Sequence, residues 1–282
     1  MAVVHLKHWN FSIGTGQPLV VIAGLNVLEN LDLALSVGRH LQAITADLGL
    51  PFVFKASFDK ANRSSIKSYR GPGLKDGLAM LTEVKRGLNV PIATDIHEID
   101  QAEPVAAVAD VVQIPAFLCR QTDLVVAAAR ATSAAGGCLH VKKAQFLAPW
   151  DCKNIITKAR EVAPDLDIVL CERGSSFGYN NLVVDMLGIG EMQRLGVPVT
   201  IDATHAVQLP GADPRTNGGS TGGRREGVPI IAKAAVAAGA DGVFLEFPEP
   251  DRALCDGPSC LPLDAAASLL STLKLVHQIV QA

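Results

Sequence analysis

Short runs of apolar, often β-branched residues recur along the chain, separated by longer stretches with helical spacing. The runs are PLVVIAGLN from Pro18, PFVFKASF from Pro51, PIATDIH from Pro91, DVVQIPAF from Asp110, CLHVKKAQF from Cys138, DIVLCERG from Asp167, PVTIDATH from Pro198 and DGVFLEF from Asp241. Their character is continuous rather than alternating, which predicts strands buried on both faces, as in a parallel sheet. Between them, NLDLALSVGRHLQAITADLG sets Leu33, Val37, Leu41 and Ile44 at helical intervals, and Gly49 supplies a stop. LKDGLAMLTEVKRGL, TDLVVAAARATSAAGG and GVPIIAKAAVAAGADG read the same way. Eight strand–helix units in 282 residues predict an α/β fold, a single TIM (β/α)8 barrel domain over residues 1–282. The alternative is an open doubly wound sheet, but no G-x-G-x-x-G follows the first strand. The opening VVHLKHWNFSIGTGQ predicts a β-hairpin with a Gly-Thr-Gly turn that covers the bottom of the barrel. The glycine-rich stretch from Leu209 to Gly227 predicts a lid that carries Arg224 or Arg225 towards a substrate phosphate.

Active sites of such barrels lie at the C-terminal ends of the strands. Nearly every apolar run here finishes there in a polar or ionisable group. In chain order these are Asn26; Lys55, Ser57 and Lys60; Asp95 and His97; Gln113; Lys142, Lys143 and Gln145; Glu172 and Arg173; Asp202 and His205; and Glu246. One polar strand end means little, because strand ends meet water. A full ring of them converging on one mouth marks a site. Lys55, Lys60, Arg63, Lys142 and Arg173 would repel one another above a low-dielectric barrel unless the occupant is an anion with several charges. The stretch FKASFDKANRSSIKSYRGPG, from Phe54, concentrates positive charge and hydroxyls accordingly. Asp95, His205, Glu246 and Asp256 could move protons. His205, Glu246 and Asp256 could also ligate a divalent metal, but Asn26 is a poor fourth ligand for a soft or borderline ion, and no metal is expected.

Composition narrows the partners. The net charge of -3 predicts neither a nucleic-acid nor a membrane surface, and no apolar run approaches the roughly eighteen residues that span a bilayer. GGSTGGRRE lacks the Lys-Ser/Thr ending of a P-loop. The first residues carry no signal-peptide pattern, and the six cysteines form no C-x-x-C pair, so a reducing cytoplasm is expected.

The segments FKASFDKANRSS, SYRGPG, TDIHE, QIPAFLCRQTDL, CERGSSFGYNNLVVDML, DATHAVQ and CDGPS resemble the 3-deoxy-D-manno-octulosonate 8-phosphate synthases, from about Val20 to the last strand. The resemblance implies condensation of phosphoenolpyruvate with D-arabinose 5-phosphate and water, no cofactor, and a homotetramer of barrels. It implies a place in lipopolysaccharide or plant pectin-sugar biosynthesis. Asn26 with CDGPS resembles the metal-independent members, whose metal-requiring relatives carry cysteine at that place. By the same resemblance Lys142 and Arg173 would take the phosphate of phosphoenolpyruvate, and Lys55, Ser57, Lys60 and Gln145 its carboxylate. Asn62, Arg63 and Ser64 would hold the pentose phosphate. Asp95, His205, Glu246 and Asp256, with Asn26, would surround the aldehyde and the attacking water. Gln113 is grouped with the substrate contacts. The chain departs from the family pattern at Ala144, where proline is usual, and after Glu246, where a histidine is missing. Synthases using erythrose 4-phosphate, and a non-catalytic sugar-phosphate-binding barrel, are the alternatives.

Overall fold

The computed structural model describes residues 3–6, 8–212, 221–249 and 251–281. An antiparallel hairpin opens the chain, β1 (Val3–Leu6) with β2 (Phe11–Gly14). The repeating part follows as β3 (Val20–Val27), α1 (Leu31–Leu48), β4 (Phe52–Ser57), α2 (Leu74–Leu88), β5 (Ile92–Asp95), α3 (Ala102–Ala106), β6 (Val111–Ile114), α4 (Thr122–Ala134), β7 (Cys138–Lys142), α5 (Lys153–Val162) and β8 (Asp167–Glu172). A two-residue ribbon, β9 (Ser175–Ser176) with β10 (Leu182–Val183), precedes α6 (Leu187–Gln193) and β11 (Val199–Asp202). A second ribbon, β12 (Gln208–Leu209) with β13 (Gly222–Gly223), precedes α7 (Val228–Ala237), β14 (Gly242–Glu246) and α8 (Ala266–Gln281). Strands β3, β4, β5, β6, β7, β8, β11 and β14 pair in parallel in that order, and β14 returns to β3 to close the barrel. All eight expected strands are present, so the (β/α)8 expectation holds.

The helices form where their sequence signals lie. Asn30 caps α1 by accepting a hydrogen bond from the Leu33 amide, and Gly49 ends it in the left-handed conformation at φ 64°. The buried stripe of α1 runs through Ala34, Val37, Gly38, Leu41 and Thr45, one position away from the expected Leu33 and Ile44, which are only partly buried.

Strand alternation sorts the side chains into two compartments. One face of each strand packs against the helices: Val21, Ala23 and Leu25 on β3, Phe52, Phe54 and Ala56 on β4, Leu139 and Val141 on β7. The other face points into the barrel. Near the strand starts it is apolar, with Val20, Ile22, Val53, Ala93, Val111, Cys138, Val169 and Phe244 forming one cluster. Further along the same inward face come Lys55, Asp95, Gln113, Lys142 and Glu246, all buried. Gly24 makes room for this layer, because a Cβ there would collide with the Lys55 carbonyl oxygen.

The hairpin plugs the bottom by adding Val4, Leu6 and Ile13 to the inward apolar cluster. Its turn is not Gly14-Thr15-Gly16 as expected. The chain reverses through His8–Asn10, with Asn10 at φ 52° and the Trp9 amide bonded to the Leu6 carbonyl at 2.9 Å. Asparagine is among the few non-glycine residues that adopt the left-handed region, so the two sites competed as signals. Trp9 Nε1 then donates to Asp110 Oδ1 at 2.7 Å, which ties the turn to the start of β6.

Two further expectations need correction. The stretch Gly257–Gln281, mean hydropathy 1.3, is long and apolar enough to cross a membrane by length and composition alone. Its helical part is α8, which packs on the barrel through Leu269, Leu270 and Leu273. Arg224 and Arg225 also do not reach the barrel mouth. Arg224 Nη2 donates to the Leu182 carbonyl at 3.3 Å and Arg225 Nη2 to the Gly257 carbonyl at 2.9 Å. They sit just beyond β13, held at the base of the expected lid, and residues 213–220 of that lid lie outside the described residues.

Candidate active site

A cavity of about 490 Å³ opens at the C-terminal ends of the barrel strands. Lys55, Lys60, Asp95, Gln113, Lys142, Gln145 and Arg173 line its depth. Asn62, Arg63, Ser64, His205 and Asp256 line it nearer the rim. Asn26, Ser57 and Glu246 were expected at the wall but lie one layer beneath it, in support. Ser57 Oγ donates to Asp95 Oδ1 at 2.5 Å. Asn26 Nδ2 donates to Glu246 Oε2 at 2.5 Å and to Asp256 Oδ2 at 3.2 Å. Asp256 holds that position from a left-handed backbone, φ 50°, just before Gly257-Pro258.

Two of the buried cations are already paired. Lys55 Nζ lies 2.7 Å from Glu246 Oε1, and Lys142 Nζ 2.5 Å from Asp202 Oδ2. Both ammoniums also face the Phe244 ring, at 5.1 and 3.7 Å from its centroid. The ring's negative face helps two like charges share one small volume. Lys60 and Arg173 differ: among the described residues neither enters an ion pair. Arg173 Nη2 donates to Gln208 Oε1 at 3.0 Å, while its Nη1 is buried without a partner. Gln113 Oε1 and Gln145 Oε1 are likewise buried and unpartnered. Orphaned polar atoms in one cavity mark where a ligand's groups would go.

Electrostatics hold the carboxylates ionised. Burial pushes Asp95 up, but the His97 hydrogen bond and charge, with Lys55 and Lys60, outweigh it and keep the carboxyl well below its usual range. Asp202 behaves alike: burial is outweighed by His205, Lys142 and Arg173. For Glu246 the lowering comes chiefly from Lys55, against burial. Burial alone would lower Lys60, yet Glu246, Asp95 and Asp256 raise it, so it stays a cation at neutral pH. Lys55 is lowered, mainly by burial.

Sequence reading named Asp202 and His97 among strand-end polar residues but left them out of the candidate site. Asp202 receives Lys142 and the His205 amide, the latter at 2.9 Å, and its Oδ2 lies 2.8 Å from His205 Nδ1, though poorly aligned for a hydrogen bond. His97 Nε2 contacts Asp95 Oδ2 at 2.9 Å. Gln208 was not singled out at all. The available signal was the strand-end position of Asp202; for Gln208, which follows a short helical turn, it was the place at the end of the DATHAVQ segment.

The closed barrel and the cation-rich cavity at its catalytic end define a barrel enzyme with a mouth built to hold anions. The chain belongs to the DAHP synthetase I family, whose sequence model matches residues 2–282. It is 52% identical to a protein of Shewanella frigidimarina (strain NCIMB 400) over 273 residues, covering 96% of this chain and 93% of the relative. A protein of Pseudomonas putida (strain GB-1) is 52% identical, covering 96% of this chain and 94% of that relative. One of Hahella chejuensis (strain KCTC 2396) is 52% identical over 100% of this chain and 97% of the relative. Each of the three carries the name 2-dehydro-3-deoxyphosphooctonate aldolase, which agrees with the resemblance carried by the motifs.

Proposed function

We propose that the protein condenses phosphoenolpyruvate with D-arabinose 5-phosphate and water, releasing 3-deoxy-D-manno-octulosonate 8-phosphate and inorganic phosphate. The observation that carries this reading is a pair of buried cations, Lys60 and Arg173, that meet no carboxylate in an ion pair among the described residues, in a cavity with further orphaned polar atoms. The relatives' name adds a carbon count. An eight-carbon keto acid phosphate is a three-carbon enol phosphate joined to a five-carbon aldose phosphate.

In this reading Lys142 and Arg173 clamp the phosphate of phosphoenolpyruvate, and Lys55, Lys60 and Gln145 hold its carboxylate. Asn62, Arg63 and Ser64 receive the pentose phosphate at the rim. The methylene carbon attacks the aldehyde and forms the new C–C bond. Water adds to the enol carbon, and the bond between that carbon and the bridging oxygen breaks. The departing phosphate takes the bond's electron pair against the two cations. Water becomes the keto oxygen and so loses both protons, one to the former aldehyde oxygen and one to the departing phosphate, and both must pass through polar groups at the wall. His205 is suited to this, because Asp95 is held too strongly ionised to be an effective base.

The Asn26 amide supports the metal-independent form. It sends N–H donors to Glu246 and Asp256, where a divalent ion would need lone pairs. Exposed Phe146, Trp150, Phe177 and Tyr179, on the connections after β7 and β8, support contact with another copy, and the resemblance implies that the assembly is a homotetramer. Light scattering of the purified protein tests this. The six buried cysteines fit a reducing compartment.

The direct test supplies phosphoenolpyruvate with either aldose phosphate and measures phosphate release and keto acid formation. Turnover with arabinose 5-phosphate is expected. Preference for erythrose 4-phosphate would favour the second reading, which the family's description keeps in view. Binding without turnover of either would make the barrel a sugar-phosphate receptor.

A further inference from the structure

Beside the cavity lies a second pair of charges that does not line it. Lys143 and Glu172 are both almost fully buried, at 1% and 2% exposure, and their charged atoms lie 3.5 Å apart. Each follows or precedes a proposed phosphate ligand by one residue: Lys142-Lys143 at the end of β7, Glu172-Arg173 at the end of β8. Alternation sends Lys142 and Arg173 into the cavity and their neighbours behind it. The two strands pair through Lys142 and Cys171, and the Lys143 amide continues the ladder to the Cys171 carbonyl at 2.8 Å. The pair therefore forms at the next step beyond the barrel's last register.

Both members hold backbone. Lys143 Nζ donates to the Ala144 and Leu147 carbonyls, each at 3.3 Å, and to Ser175 Oγ at 3.1 Å. Those bonds span the loop that carries Gln145 and the turn that follows Arg173. Glu172 Oε1 accepts from the Arg173 amide at 2.8 Å and the Gly174 amide at 2.6 Å. Gly174 sits at φ 88°, a conformation that leaves the carboxylate free to bond two consecutive amides. A further bond, from the Ser176 amide to the Gln145 carbonyl at 2.9 Å, joins the two loops directly. Burying a charge pair of this kind costs desolvation energy that its mutual attraction recovers only in part, so its presence here needs a reason beyond packing.

We propose that the buried Lys143–Glu172 pair is the positioning element of the anion clamp: it locks the two loops that carry Gln145 and Arg173, and so sets the affinity for the enol phosphate without touching it. The proposal rests on the assignment of Lys142, Gln145 and Arg173 to phosphoenolpyruvate. A residue that positions one clamp affects one substrate. A residue that merely holds the fold affects both substrates and the melting temperature together.

The test compares Lys143→Met/Glu172→Gln with Arg173→Ala in the full chain. The double variant leaves no unpaired buried charge. Phosphoenolpyruvate binding is measured by calorimetry, both KM values by steady-state kinetics, and folding by thermal melting. The double variant should weaken phosphoenolpyruvate binding about tenfold or more, as loss of supporting contacts does around other sites, and change the pentose phosphate KM less than about twofold. Lys143→Arg should restore most of the affinity. Glu172→Asp keeps the charge but withdraws the carboxylate from both amides, so it provides the same reading if the double variant does not fold. Unchanged phosphoenolpyruvate affinity in the double variant, or in Glu172→Asp, overturns the proposal. So does an equal rise in both KM values. If Arg173→Ala itself leaves phosphoenolpyruvate affinity intact, the clamp assignment fails and takes the proposal with it. If Arg173→Ala loses affinity and the double variant does not, the proposal alone fails.

Discussion

The inward faces of the same strands serve opposite purposes at the two ends of the barrel. On β7, Cys138 belongs to the apolar floor and Lys142 to the mouth, with only His140 between them on that face. His140 marks the boundary. It bonds Thr200 Oγ1 at 2.9 Å, and burial, helped by the Lys142 charge, lowers it to about 3, so it stays neutral. On β4 the change from Val53 to Lys55 takes a single step of the alternation, and on β14 the change from Phe244 to Glu246 does the same. The floor gains stability from every group it buries. The mouth spends stability to keep charges dry, and recovers part of it through Lys55–Glu246 and Lys142–Asp202. What the mouth leaves unpaired, chiefly Lys60 and Arg173 Nη1, is what an anionic ligand would complete.

Substitutions at the two ends should therefore separate activity from stability. Arg173→Ala is expected to lower kcat/KM for phosphoenolpyruvate by about 4 kcal/mol, a factor of about 1,000, as truncation of a buried charged contact does. Thermal stability should hold or rise, since a partly unpartnered buried cation is gone. A stability loss matching the activity loss would erase the distinction. At the floor, Ile13→Ala removes a side chain 1% exposed and should cost about 3 kcal/mol of stability through the cavity it leaves. Both KM values should stay as they are; a shift in either would show that the plug reaches the chemistry. Arg63→Ala should cost about 2 kcal/mol and act on the pentose phosphate KM alone. Equal effects on both substrates would move Arg63 to another ligand.

Acid should weaken the mouth before the floor. The folded pKa of Asp202 is depressed, so its stabilising contribution is complete above the ordinary carboxylate range and is lost as pH falls through the lower folded value. Stability measured against pH should begin to fall below about 6.5, where His140 takes up a proton only in the unfolded chain, and fall more steeply below about 4; Asp202→Asn should flatten the steeper limb. A variant with the same acid limb would assign it elsewhere. The smallest expected effect is that of a chelator. Exhaustive EDTA should leave turnover unchanged, whereas Asn26→Cys should make turnover rise with added Mn²⁺ or Zn²⁺. Full loss of activity with EDTA would reverse the reading of Asn26.

Much of this contrast was legible in the sequence. β-branched runs ending in Lys55, Asp95, Lys142 and Arg173 gave both the strands and the polar mouth, because parallel strands bury both faces until they end. Gly49 as a helix stop was equally local. The pairings were not legible. Lys55 meets Glu246 across 191 residues and Lys142 meets Asp202 across 60, so nothing in the spacing tells which of the mouth's cations also meet a carboxylate. For the same reason Ser57, Asn26 and Glu246 looked like wall residues: alternation gives the face of a strand but not the depth at which the cavity stops. The hairpin turn was misplaced because Asn10 and Gly14-Thr15-Gly16 both satisfy a left-handed backbone. Arg224 and Arg225 resembled phosphate ligands in composition, and only the carbonyls they meet reveal a structural task.

On the proposed function, the mouth receives phosphoenolpyruvate as a leaving phosphate, clamped by Lys142 and Arg173, rather than as a phosphoryl group to be transferred. Attack at phosphorus would need in-line geometry and charge neutralisation around the phosphoryl oxygens. Departure of the whole phosphate needs only cations beside it while water adds to the enol carbon. Phosphoenolpyruvate carrying heavy oxygen in the bridging position distinguishes the two in a single turnover with arabinose 5-phosphate. The label should leave with inorganic phosphate, detected by mass. Label retained in the eight-carbon acid would mean that the phosphorus–oxygen bond breaks, and would contradict the role assigned here to the cations of the mouth.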